Sequence, residues 1–212
     1  MRRIVAPFAL LLASTACTSM SGEMPLSTAT PEPMVSPILT GPEALDTLTY
    51  AQPQIARVTH VALDLALDFE GQGIGGTATL DVLARDDARE IVLDSNGLRI
   101  ASVTDAAGRD LPFTVGEAVA EGGKGAPLTI TMGDARTIRI RYAAPEDAEA
   151  LQWLSPEQTA GGEYPFLFSQ GQAILNRSWI PTQDSPGIRQ TWEARITAPG
   201  PLDVVMSGVR QG

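Results

Sequence analysis

From position 61 onward, hydrophobic residues fall at every second place. Val61, Leu63, Leu65, Leu67 and Phe69 alternate with Ala62, Asp64, Ala66, Asp68 and Glu70, which is the period of a strand with one buried face. GQGIGG follows, then TATLDVLA over 77–84. Together they predict a β-hairpin whose glycines supply positive φ at the turn. EIVLDS, LRIASVTD, LPFTVG, LTITMG and TIRIRYAA continue as short segments separated by Gly, Asp-Asp or Ala-Gly. In the last of these, Ile138, Ile140 and Tyr142 face one way and Arg139 and Arg141 the other. TWEARITAP alternates Trp192, Ala194 and Ile196, and PLDVVMSG predicts one more strand over 201–208. No stretch sustains a helical period. The pattern predicts an all-β fold, an antiparallel β domain of sandwich or saddle type.

Before this region the pattern is different. MRR supplies a positive start and IVAPFALLLA an apolar run over 4–13. That run is too short for a bilayer core, which takes about 20 residues, so 1–16 reads as a signal peptide. Ser14-Thr15-Ala16-Cys17 resembles a bacterial lipobox, and Cys17 is the one cysteine of the chain. The resemblance implies cleavage before Cys17 and lipidation of its thiol; a plain secretory signal with an incidental Cys is the competing reading. Thr18 stands where Asp would favour inner-membrane retention. The expectation is therefore an exported, periplasmic protein anchored to the outer membrane. Residues 17–54 are rich in Pro, Ser and Thr and read as a tether, docking onto the folded part near Leu48 and Tyr50. The β domain is expected over 55–212.

The net charge of -10 excludes nucleic acid as a natural partner, because phosphates would be repelled. One Cys rules out an intrachain disulfide, and one His rules out any site with two imidazoles. Three chemical motifs dissolve in context. Gly71, Gly73 and Gly76 match G-x-G-x-x-G, but a strand follows where a dinucleotide site needs a helix N-terminus. His60 opens a strand and reads as a surface or internally satisfied histidine. Asp64 and Asp68 lie on a strand's polar face, without the apolar pocket that separates the pKa values of a glycosidase pair.

One stretch resists this strand-and-turn reading. FLFSQGQAILNRSWIPTQDSP, from Phe166 to Pro186, mixes amides and hydroxyls with aromatic and aliphatic residues, and buried amides need partners. Four motifs cover it and its surroundings: LQWLSPEQT, PFLFSQGQA, RSWIPTQDSP and TWEARITAP. In this order and spacing they resemble the N-terminal domain of zinc metallopeptidases of the aminopeptidase-N type, on the leukotriene-A hydrolase side, with weaker similarity back to Arg57. The resemblance implies a saddle-like β-sandwich against a zinc-bearing domain, with a loop reaching the active-site cleft. It implies that Gln172 contacts the free amino group or first carbonyl of a bound peptide. It further implies that Gln170 lines the same pocket and that the Ala173 backbone helps position the substrate. Peptide N-termini are then the implied partners. The alternative is that both glutamines only satisfy backbone groups. Trp153, Pro156 and Asp184-Ser185-Pro186 read as structural: a packed ring, then turn formers at a strand corner.

The family's chemistry resides in H-E-x-x-H with a downstream Glu, and this sequence has no such motif. The expectation is an N-terminal portion that orients substrate for a zinc-bearing catalytic domain, truncated before it and inactive alone, with no cofactor in this chain and zinc in the full-length enzyme. A free-standing, non-catalytic β-sandwich adaptor lipoprotein is the alternative.

Overall fold

The computed structural model describes residues 45–211. The predicted signal peptide, Cys17 and most of the tether lie outside the described residues. Ten strands follow one another: β1 (Ala56–Asp68), β2 (Gly73–Ala84), β3 (Glu90–Ser95), β4 (Arg99–Asp105), β5 (Phe113–Val115), β6 (Ala126–Thr131), β7 (Thr137–Ala143), β8 (Leu151–Leu154), β9 (Phe166–Ser169) and β10 (Thr191–Thr197). They form a five-stranded sheet in the order β10-β1-β2-β7-β4, a three-stranded sheet β3-β6-β5, and the hairpin β8-β9.

Alternation builds the core. Val61, Leu63 and Leu65 of β1, Ala78 and Leu80 of β2, and Ile138 and Ile140 of β7 all point inward from the large sheet. They join Ile91 and Leu93 of β3 and Leu128 and Ile130 of β6 in one buried cluster. Each Val, Leu or Ile among them contributes about 1.5–3 kcal/mol by leaving water, and the two faces together make a sandwich.

Three expectations change. The predicted antiparallel order holds for the other paired strands, but β1 and β10 pair in parallel, with Val61 opposite Trp192 and Leu65 opposite Ile196. A parallel partner needs a crossover, and here the whole of 69–190, β2 included, supplies it. PLDVVMSG forms no strand; Val205 and Val209 are exposed, and β10 ends the large sheet. The β1–β2 turn is also built differently. Gln72 carries a positive φ of 47°, whereas Gly76 lies inside β2 with φ 155°. A Cβ on Gly76 would stand 2.9 Å from the Leu65 Cα, so close approach of two strands demands glycine there.

Leu48 and Tyr50 pack against the β domain. Tyr50 Oη donates to the Gly125 carbonyl at 3.1 Å, and the Leu48 carbonyl accepts from Arg177. The Lys124 ammonium sits 4.4 Å from the Tyr50 ring centroid.

Candidate functional site

The SQGQA segment leaves the β8–β9 hairpin at its base. Leu151 pairs with Ser169 and Leu154 with Phe166, and Gln170 N–H adds one more rung by donating to the Ala150 carbonyl at 2.8 Å. Leu167 packs toward the core, while Phe166 and Phe168 are exposed. Trp153 is the packed ring that the sequence suggested, edge-on to Phe69 at 5.1 Å and 88°. Pro156 opens the short 3-10 turn Pro156–Gln158. Beside that turn lies a concavity of about 360 Å3, lined by Leu154, Thr159, Tyr164, Pro165 and Phe166. It is at the other end of the hairpin from the glutamines.

The two glutamines are not equivalent. Gln170 turns its Oε1 back onto the Gln172 N–H at 2.7 Å, so its acceptor is engaged with the loop. Gln172 is exposed, and among the described residues its side chain has no hydrogen-bond partner. Ala173 is exposed as well, and the Gln172–Ala173 peptide bond is cis. Ile174 then turns inward, and the chain enters the 3-10 turn Asn176–Ser178.

Behind the loop lies a polar cluster that sequence reasoning missed. Arg177 is fully buried, as are Asp94 and Gln183. The guanidinium approaches Asp94 Oδ2 at 3.7 Å and Asp184 Oδ2 at 3.5 Å. It also donates to the carbonyls of Leu48 at 2.6 Å, Lys124 at 2.8 Å and Asp184 at 2.6 Å. Asp94 accepts from Thr49 Oγ1, Tyr50 N–H and Asp184 N–H. Gln183 joins the two sheets: its Oε1 accepts from Val58 N–H of β1, and its Nε2 donates to the Ala56 and Val92 carbonyls. The reading of Asp184 as a turn former is thereby corrected, because its carboxylate is a buried partner of Arg177. Burial raises the Asp184 pKa against the lowering effect of Arg177. The only signal in the sequence was an Asp closing the apolar run EIVL and an Arg among LNRSWI; nothing local pairs them.

A zinc ion does not fit the described residues. No group of three His, Cys, Asp or Glu among them could hold a metal, and the Nδ1 of His60 is hydrogen-bonded with Thr191 Oγ1 at 2.8 Å.

Residues 53–212 match the Peptidase M1 N-terminal domain. This chain belongs to the M1 peptidase family. Its M1 N-terminal β-sandwich is 34% identical over 174 residues to leukotriene A-4 hydrolase of Xenopus laevis, covering 79% of this chain and 28% of the relative. It is 36% identical over 173 residues to leucine aminopeptidase 2 of Yarrowia lipolytica, covering 80% and 26%. The structure of yeast LTA4 hydrolase in complex with bestatin superposes with a TM-score of 0.71 at 31% identity, over 79% of this M1 chain and 27% of that one. An M1 zinc metallopeptidase from Deinococcus radiodurans shares the fold, with a TM-score of 0.52 at 23% identity over 71% and 34%. The chain thus spans about a quarter to a third of the length of these relatives.

Proposed function

We propose that this chain is the substrate-orienting domain of an exported zinc aminopeptidase whose metal-bearing catalytic half lies on further polypeptide. The observation that carries the reading is the contrast within the loop. Gln170 commits its acceptor to the backbone, whereas Gln172 presents a free amide at an exposed position. An amide oxygen is a suitable acceptor for a peptide ammonium, and its NH2 can donate to the first carbonyl. Gln170 then shapes the loop and offers only its NH2 to the same pocket, and Ala173 supplies backbone beside it. A matched relative named as a leucine aminopeptidase and a bestatin-bound structural relative support peptides with a free N-terminus as the substrate class.

In this reading 1–16 is a signal peptide, Cys17 carries lipid, and 17–54 spans from the outer membrane to the β domain on the periplasmic side. Two experiments test the proposal. Sequencing the gene beyond the Gly212 codon should reveal an in-frame H-E-x-x-H, and the resulting polypeptide should bind zinc and release amino acids from peptide N-termini. A stop codon at that point, with no activity toward aminoacyl-anilides, would defeat it in favour of a binding lipoprotein. Mass spectrometry of the N-terminal peptide from membranes should find the Cys17 thiol acylated; a free thiol there contradicts the anchor.

A further inference from the structure

The backbone at Gly171 does not adopt a positive φ, so conformation alone does not call for glycine. Space does. A Cβ at 171 would lie 2.7 Å from both Cγ and Nδ2 of Asn176, closer than real Cβ contacts come. The Asn176 amide is itself braced on two sides. Its Nδ2 donates to Asp184 Oδ1 at 3.4 Å, and its Oδ1 accepts from Trp179 Nε1 at 3.4 Å. Asp184 is fixed in turn by the Arg177 N–H at 3.0 Å. One side chain therefore connects the buried cluster to the loop that displays Gln172. On the loop itself, Leu175 N–H closes onto the Gly171 carbonyl at 3.0 Å, and Gln172 N–H closes onto Gln170.

We infer that Asn176 is a positioning residue: its braced amide is the floor on which Gly171 rests, and it sets the direction in which Gln172 leaves the loop. The functional half of the inference rests on the proposed role of Gln172. The coupling of Gly171 to Asn176 does not, and can be measured in this chain.

The experiment is a double-mutant cycle read by amide hydrogen exchange at Leu175 and Gln172. Gly171→Ala alone should speed exchange at Leu175 about tenfold by driving the methyl into the Asn176 amide. Asn176→Ala alone should speed it less, and Gly171→Ala with Asn176→Ala should match Asn176→Ala within about threefold, because the obstacle is gone. Amides of Val61 and Leu80 in the core should not change. If the two effects multiply, Asn176 is not what excludes the methyl and the inference fails. Should Gly171→Ala not fold, Asn176→Ala still decides, since unchanged exchange at Leu175 and Gln172 overturns it.

In the longer, zinc-bearing polypeptide, Asn176→Ala should raise KM for an aminoacyl-anilide several-fold with kcat within about threefold. Gln172→Ala serves as the reference. If it leaves KM unchanged while the exchange cycle is coupled, the reading of Gln172 falls and the loop brace stands. If it raises KM while Asn176→Ala does not, the positioning role falls and the reading of Gln172 stands.

Discussion

Arg177 Nη2 and Asp94 Oδ2 face each other at 3.7 Å with neither side chain more than 1% exposed. This pair joins β3 to the segment after the glutamine loop, and three carbonyls complete the guanidinium's hydrogen bonding. Removing one member of a buried pair leaves the other charge uncompensated, which costs about 3–5 kcal/mol. Arg177→Ala should therefore lower unfolding stability by that amount in urea titrations with little change in m-value. A loss near the ~1 kcal/mol of an exposed ion pair would show that the cluster is hydrated.

Gln183 predicts a different kind of loss. Replacement by Ala strands the Val58 N–H and the Ala56 and Val92 carbonyls, at about 1–3 kcal/mol for each buried group left unsatisfied. Total destabilisation of about 3 kcal/mol is expected, with faster hydrogen exchange concentrated at Val58. Uniform loosening of both sheets, with no focus at Val58, would contradict the bridging role.

Tyr142 predicts a gain. Its ring is 3% exposed and its hydroxyl has no hydrogen-bond partner among the described residues; burial pushes its pKa upward. Tyr142→Phe keeps the packing and removes an unsatisfied group, so thermal unfolding should shift upward by a few degrees, corresponding to about 1 kcal/mol. A drop in Tm would mean the hydroxyl is satisfied by water.

Asp105 sets an acid-side pH dependence. Its carboxylate accepts from the Arg109 and Ala107 N–H groups and from the Arg109 guanidinium, and the Arg109 backbone bond leads in lowering its pKa below 3.8. A depressed folded-state pKa gives stability that is present above the unfolded value and lost as pH falls through the folded one. Wild type should therefore exceed Asp105→Asn in Tm at pH 6, and the gap should close as pH falls below 3.8. A gap that is constant across this range would show that the carboxylate's charge is not responsible.

Much of the fold is legible in the amino-acid sequence itself. Strands β1, β2 and β7 follow from alternation, because half-buried strands impose period two on the side chains themselves, and β3 to β6 follow from short apolar segments between turn residues. The parallel match of β1 with β10 is not legible there, since both strands alternate equally well and nothing in 69–190 announces which edge the chain returns to. The Arg177–Asp94–Asp184 cluster is hidden for the same reason. Asp94 lies far along the chain from the other two, and at a strand end it looks like any turn residue. Gln170 and Gln172 stand out through the resemblance of SQGQA to a family motif. The difference in their hydrogen bonding emerges only from the contact between Gln170 Oε1 and Gln172 N–H.

The central claim concerns what Gln172 meets, and a crystal structure of the proposed longer, zinc-bearing polypeptide with a bound tripeptide tests it most directly. The peptide's amino nitrogen should lie within about 3.2 Å of the Gln172 side-chain oxygen, with the Ala173 backbone alongside. A peptide seated with its amino terminus away from Gln172, or a Gln172 amide folded back onto its own main chain, would contradict the account.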